Sequence, residues 1–539
     1  MESYDAIVVG GGITGLTSAV YLAKGGAKTL LLEKNDRCGG LVNSFSREGF
    51  LFDGGVRALE SAGIILPMLK ELGIDLEIIE SPVSVGIEND IIHITSKENV
   101  KDYENLLRKL YPDQGEDIDR VISVIKKIMK NIEVLYGVDN PLFKDLKSNK
   151  SELGKVYLPW LFKFPFTLRS INKLKMPVEE LLEKIVKNRS LNDMISQHFF
   201  KNTPAFFAMS YFYLYQDYFY PKGGVGRLAE SVEQKIQEFG GKIVTHREVK
   251  ELSPKTNTIV DNKGSSYEYD ELIWAADLNQ LYRVTKTEGL PEEVAQRILS
   301  KKGQLLSKHG AESVFSIFIA VDEPPESFRT ICKGHFFYSP SKKGLGEIHR
   351  SKLKNLLENW SEASQEDISD WLDKFCALNT YEISIPVLKD STAAPEGKTG
   401  LIVSLLLDYN LAKKASESLS HKVFKEELEK RMIDTLSNSI YPMLKDKIIF
   451  SFSASPLNIE DYAGSSEGSI IGWSFEEEIP VTSSLLKGSS SVNTPIPNVL
   501  QAGKWAYSPS GVPMCILTGK IAANRVLKHK NSSRKKQTT

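Results

Sequence analysis

Near the start of the chain stands Gly10-Gly11-Gly12-Ile13-Thr14-Gly15, residues of the type and spacing that hold a phosphate. They follow Ala6-Ile7-Val8-Val9, a short apolar run that suits a buried parallel strand. In this G-x-G-x-x-G frame Gly10 permits a tight turn. Gly12 lets a pyrophosphate approach the backbone, and Gly15 lets the next helix pack closely on the strand. That helix is predicted from about Thr14 to Lys24, with Leu16, Ala19, Val20 and Ala23 on one face, and Gly25-Gly26 ends it. Its N-terminal amides and dipole would hold the phosphates. A second strand, Thr29 to Leu32, runs into Glu33 and Lys34, where a carboxylate would meet a ribose hydroxyl. Strand, glycines, helix, strand and acid in this order specify a dinucleotide. The acid disfavours a ribose 2′-phosphate and leaves NAD and FAD open.

The continuation bears on that choice. Arg37-Cys38-Gly39-Gly40-Leu41 is followed by Gly49-Phe50-Leu51-Phe52-Asp53-Gly54-Gly55. This pair of segments resembles the FAD-containing amine oxidase and phytoene desaturase superfamily, in which an R-x-G-G turn and an F-D-x-G segment wrap the flavin end. Glycine there lets the backbone approach a large planar ring. Ordinary turns beside a nucleotide site are the other reading. Cys38 stands where the family usually has a small residue; it either packs or lies near the flavin, and packing is the favoured reading.

Farther along, Tyr220-Pro221-Lys222-Gly223-Gly224-Val225-Gly226 resembles a turn of the phytoene desaturase, prolycopene isomerase and retinol saturase branch. Ile383-Ser384-Ile385-Pro386, Ala394 to Lys398, and Ser455 to Gly472 with Glu460 and Tyr462 match the same branch. Near the end, Val499-Leu500-Gln501-Ala502-Gly503-Lys504 and Ser510-Gly511-Val512-Pro513 resemble the family's closing strand, turn and helix. That helix start would face the flavin and stabilise charge on it. Lys504 replaces an acid or amide of many relatives, and Ser508 and Ser510 replace glycines. The resemblance implies that Gly10, Gly12, Ile13, Thr14, Gly15, Glu33, Lys34, Arg37, Gly39, Gly40, Leu41, Asp53, Gly54, Gly55, Val249, Ala276, Gly503, Lys504, Gly511, Val512 and Pro513 bind FAD.

Other chemistry is sparse. The eight histidines show no ligand spacing, and the four cysteines form no C-x-x-C pair. Neither a metal site nor a disulfide framework is expected. No Ser-His-Asp or paired-carboxylate pattern singles out a catalytic side chain. Lys+Arg is 68 and Asp+Glu is 69, which gives no electrostatic reason for a nucleic-acid partner. The N-terminus has no basic n-region, and no apolar run is long enough to span a bilayer, so a cytoplasmic protein is expected, with contact at a membrane surface left open. The basic end, Lys528 to Lys536, reads first as a solvated, disordered tail and second as a membrane-surface or partner contact.

The elements that must position these residues follow from pattern. Ile118, Val121, Ile122, Ile125, Ile128, Met129, Ile132 and Leu135 recur at helical spacing and predict a core helix over 118–136. Segment 156–170 mixes Trp160, Phe162, Phe164 and Phe166 with Lys163 and Arg169 without clear period. It reads either as a membrane-surface contact or as a buried loop. Segment 198–220 carries aromatics on every face, which suits a long apolar tunnel or plain core packing. Segment 340–380, charged and helical, reads as a surface insertion or lid.

With the resemblance, these readings give an α/β protein. A Rossmann-like FAD-binding domain would assemble from 1–75, 221–290 and 490–530. An α+β substrate domain, 76–220 with 291–489, would be inserted into it, leaving 531–539 as the tail. The implied activity is an FAD-dependent oxidoreductase acting on a long apolar isoprenoid, by desaturation, saturation or cis–trans isomerisation of a polyene. An amine oxidase-like enzyme and a non-catalytic flavin-binding protein are the alternatives. The sequence names no electron acceptor.

Overall fold

In the computed structural model, residues 2–144 and 153–537 are described. The first sheet is built on strands whose two faces are both apolar. Strands Glu2–Val9, Thr29–Leu32, Lys242–Val244, the end of Ser266–Trp274, and Val499–Gln501 run parallel, in the spatial order 242, 29, 2, 266, 499. Successive side chains of a strand point to opposite faces. Ala6 and Val8 therefore pack under helices Ile13–Lys24, Gly226–Glu238 and Val512–Gln537, while Ile7 and Val9 face a second core with Leu278, Leu281 and Ile298. A sheet covered on both sides needs such continuous apolar strands. The first half of Ser266–Trp274 instead pairs antiparallel with Thr258–Asp261, which pairs with Val249–Ser253.

The second sheet has seven strands, in the order Ile448–Ala454, Ser313–Val321, Thr399–Leu407, Tyr381–Ser384, His335–Ser339, Val83–Ile87, Asp90–Ile94. Only the pair 335–339 with 83–87 is parallel. Here the two faces differ. Phe315, Ile317, Ile319, Phe336, Tyr338, Tyr381, Ile383, Leu401, Val403 and Leu405 form one core with the helices behind them. The alternate residues Ser316, Phe318, His335, Phe337, Glu382, Ser384, Ile402 and Ser404 form the opposite face. The hairpin Ser44–Arg47 and Phe50–Asp53 covers part of that face, with Phe45, Phe50 and Phe52 against Phe318, Phe450 and Phe452.

Helices Val100–Leu110, Gly115–Tyr136, Val178–Ile185, Arg189–Ser196 and Ala205–Leu214 make a further core. The predicted helix over 118–136 is present, with Ile118, Val121, Ile122, Ile125, Ile128 and Ile132 buried. Two expectations change. Helix Gln365–Leu378 is no lid: Ile368, Trp371, Leu372 and Phe375 are buried in the core behind the second sheet. Its charges occupy the outer face of an amphipathic helix, which in sequence alone looks like an insertion. The basic tail continues the closing helix to Gln537, with Lys530 paired to Asp5 and His529 to Glu271.

Candidate functional site

The carboxyl ends of the parallel strands converge on one edge of the first sheet, the place where open α/β sheets bind ligands. The strand Glu2–Val9 leads into Gly10 at φ +101°, whose amide donates to Leu32 O at 2.9 Å. A Cβ on Gly15 would lie 1.8 Å from Gly10 O, so only glycine lets helix 13–24 seat on this turn. At Gly12 a Cβ would meet nothing within 4 Å. Gly12 also caps a helix that has no side-chain cap and no acid in its first turn. Its leading amides lack partners within the helix and point toward that space.

A second glycine turn closes over the first. Gly39 N donates to Gly11 O at 2.8 Å, and a Cβ on Gly40 would be 3.3 Å from Gly12 Cα. Glu33 lies beside both: Oε2 accepts the Gly11 amide at 2.6 Å and Oε1 the Asn35 amide at 2.9 Å. Each oxygen keeps a further lone pair for a ribose hydroxyl. Arg247 N donates to Glu33 O at 2.8 Å, which brings the stretch before Val249 to the same edge. Ala276 lies over the glycine loop, its Cβ 3.2 Å from a Cβ on Gly10. Gly503, at φ +96°, lies against Thr14: a Cβ there would be 3.0 Å from Thr14 Oγ1. Open space, uncapped amides and a carboxylate at the strand ends fit a dinucleotide pyrophosphate with its ribose.

Other residues expected at the site make contacts within the protein. Asp53, fully buried, accepts from Ser44 Oγ at 2.7 Å, Val225 N at 3.0 Å and Tyr220 OH at 2.9 Å. Its carboxylate thus fastens the 220–226 turn to the hairpin, and Asp390 Oδ2 holds the same turn through Gly223 N at 2.8 Å. A Cβ on Gly54 would strike Asn43 Oδ1 at 2.2 Å, and one on Gly55 would strike Leu41 O at 2.2 Å, so both glycines answer protein packing. Lys34 Nζ donates to Asp461 O, and exposed Arg37 reaches Ser44 O at 3.4 Å. Lys504 Nζ donates to Ser469 O at 2.6 Å, and burial pushes its ammonium down to about 8. Burial pushes the Cys38 thiol up, next to Glu233 and Glu33, which agrees with a packing role.

A polar group that no sequence motif marks lies on the inner face of the second sheet. Arg57 Nη1 donates to Asp53 O and Gly55 O, both at 2.6 Å, and Nη2 to Ser316 Oγ at 3.2 Å and Ser404 Oγ at 3.1 Å. Lys389 Nζ donates to Arg57 O at 2.8 Å and Ser384 Oγ at 2.9 Å, and lies 4.6 Å from the Tyr220 ring centre. Burial pushes Lys389 down to about 8. His335 Nε2 is 3.2 Å from Glu382 Oε1. Burial lowers the histidine and would raise Glu382, but His335, Arg57 and Lys389 hold the carboxyl below its usual value. Neither ring nitrogen of His335 has a well-directed hydrogen bond. A chain of rings, Tyr211, Tyr215, Tyr218, Phe337 and His335, with centroids 5.1–5.7 Å apart, continues from it. Glu60 ends this wall, on the strand Leu59–Glu60 beside Tyr218. Burial pushes its carboxyl up to about 7, and Oε1 is 3.3 Å from where Gly511 would carry a Cβ. Gly511 precedes Val512 and Pro513, the start of the closing helix. The alternation Tyr381-Glu382-Ile383-Ser384 was the available signal.

Among the described residues no cluster of three His, Cys, Asp or Glu side chains could hold a metal ion. The chain is 23% identical to all-trans-retinol 13,14-reductase of Danio rerio, over 98% of its own length and 87% of the relative's. It is 23% identical to carotenoid 3,4-desaturase of Haloarcula japonica, over 98% and 99% of the two chains. The fold is similar to that of putrescine oxidase bound to putrescine, with a TM-score of 0.59 at 13% identity over 98% and 99% of the two chains. The family described as flavin containing amine oxidoreductase matches residues 13–527. The chain therefore belongs to the flavin-containing amine oxidoreductase family, and its cofactor is FAD.

Proposed function

We propose that the protein is an FAD-dependent oxidoreductase of a long apolar isoprenoid polyene, a carotenoid or retinoid. The observation that carries this reading is the wall of rings from Tyr211 to His335, which runs from Glu60 across the inner face of the second sheet. Rings present flat apolar area to a rigid conjugated chain, and few polar groups interrupt them. The curated relatives, retinol reductase and carotenoid desaturase, match nearly the whole chain and support the same substrate class.

In this reading FAD is held by the amides of Gly12 to Gly15, by Glu33, by the Gly39–Gly40 turn, and by Val249, Ala276, Gly503 and Gly511–Val512. Bound FAD supplies the hydride chemistry. The protein orients the polyene along the ring wall and keeps water from it. Desaturation also releases a proton and saturation consumes one. Glu60, neutral below about pH 7, is the side chain placed to take or give it. Arg57 and Lys389 position the inner face.

The test is product analysis. Purified FAD-loaded protein is incubated with a retinoid and with acyclic carotenes, in oxidised and in reduced form. A product two hydrogens heavier or lighter, or a changed isomer of equal mass, supports the reading. Unchanged polyenes together with oxidised amines would overturn it.

A further inference from the structure

We propose that the helix Leu158–Asn172 is a lipid-docking element that seats the protein on an anionic bilayer. Leu158 is 50% exposed, Leu161 53%, Phe162 76% and Phe166 78%. Positions 158, 162 and 166 lie four apart and 161 falls beside them, so the four form one stripe. Val156 and Leu142 are also exposed. A helix ordinarily turns such a stripe inward.

Here the opposite face is the mounted one. Trp160 Nε1 donates to Val134 O at 2.7 Å, and its ring lies 4.6 Å from that of Phe164. Tyr157 OH donates to Asp139 O at 2.9 Å, and Asn131 Nδ2 to Ser170 Oγ at 3.0 Å. Thr167 and Ile171 are buried. The protein thus fixes this helix firmly with its most apolar side outward.

Charge selects the partner. Lys155, Lys163, Arg169, Lys173 and Lys175 are all exposed around the stripe, and no Asp or Glu occurs from 153 to 178. Exposed phenylalanines and leucines ringed by cations of one sign match acyl chains under negatively charged headgroups. No helix of the described residues is long and apolar enough to cross a membrane, so the contact is interfacial. The position also serves the function proposed above. Helix Gly115–Tyr136, which carries Val134, ends at Tyr136, and Tyr136 lies within electrostatic reach of Glu60. A substrate leaving the bilayer beside Phe162 enters near the ring wall. This last step rests on the polyene reading; the docking does not.

The experiment is vesicle flotation of the full-length, FAD-loaded protein. Vesicles of phosphatidylcholine alone are compared with vesicles that also contain phosphatidylglycerol. Wild type is expected to float with the anionic vesicles. Burying each phenylalanine is worth about tenfold in partitioning, so Phe162→Ser with Phe166→Ser loses roughly a hundredfold. Lys163→Gln with Arg169→Gln and Lys173→Gln removes the preference for anionic lipid. Unchanged flavin absorbance shows that the variants remain folded. As a second readout, a nitroxide on Leu161→Cys becomes more accessible to oxygen than to a water-soluble nickel complex when vesicles are added. Wild type that ignores anionic vesicles, or a double variant that floats like wild type, overturns the proposal. So does a wild-type dimer that the phenylalanine variant splits, because a second copy then covers the face. Flotation reads docking without turnover, so an inactive enzyme that floats separates the two claims.

Discussion

Gly15 and Gly12 make opposite predictions, because one answers to the protein and the other to its cofactor. In Gly15→Ala the new Cβ lies 1.8 Å from Gly10 O, whereas side-chain Cβ atoms essentially never approach closer than 3.0 Å. The turn must withdraw by more than an ångström. Overpacking of that kind costs roughly 1–3 kcal/mol. Gly15→Ala is therefore expected to lower the unfolding temperature of the FAD-free protein by several degrees. In Gly12→Ala the methyl meets nothing within 4 Å, and φ of −68° suits alanine. The FAD-free protein should unfold within about 1 kcal/mol of wild type. The same methyl occupies the space assigned to the pyrophosphate, and a similar overpacking term lowers FAD affinity by about 10- to 100-fold. Thermal unfolding of the FAD-free proteins and flavin-fluorescence titration read the two effects separately. If Gly12→Ala binds FAD like wild type, or unfolds as early as Gly15→Ala, the assignment of the phosphate loop fails.

Other consequences are equally direct. Arg57→Ala leaves Glu382 with less counter-charge and strips Ser316 and Ser404 of a donor, and should cost about 3–5 kcal/mol in a denaturant titration; a loss below about 1 kcal/mol contradicts the network. Glu60 ionises near 4.5 when unfolded and near 7 in the fold, so the folded protein retains a proton that the unfolded chain releases between those values. Its contribution is present below pH 4.5 and is lost as pH rises to 7 and beyond. Glu60→Gln should thus gain stability relative to wild type from pH 5 to pH 8, and parallel profiles would argue that Glu60 is not buried as described. Phe52→Ala empties the ring cluster with Phe318, Phe450 and Phe452, and about 3–5 kcal/mol of lost stability is expected.

The nucleotide edge was legible because local backbone needs dictate residue type. Gly10, with its positive φ, and Gly15, with its blocked Cβ, admit no other side chain, so the pattern survives in a single sequence. The family and FAD were legible for the same reason, through turns such as Gly39–Gly40 and Gly223–Gly224. What those turns do was less so. Asp53 and Gly54 belong to a flavin-end motif by sequence, yet the carboxylate ties Tyr220 and Val225, and the glycine avoids Asn43. The inner face of the second sheet was illegible. Arg57, Glu60, His335, Glu382 and Lys389 come from three stretches, distant in sequence, that meet only through strand register. Helix 365–378 misled because its charged outer face dominates its composition while Trp371 and Phe375 sit buried.

The visible spectrum of the purified protein under anaerobic titration tests FAD-dependent polyene chemistry in a single experiment. A bound, FAD-releasing yellow chromophore is expected. An apolar polyene should bleach it, or restore it after reduction, while amines leave it unchanged. A flavin that amines reduce and that no retinoid or carotene touches would contradict an isoprenoid polyene as the substrate.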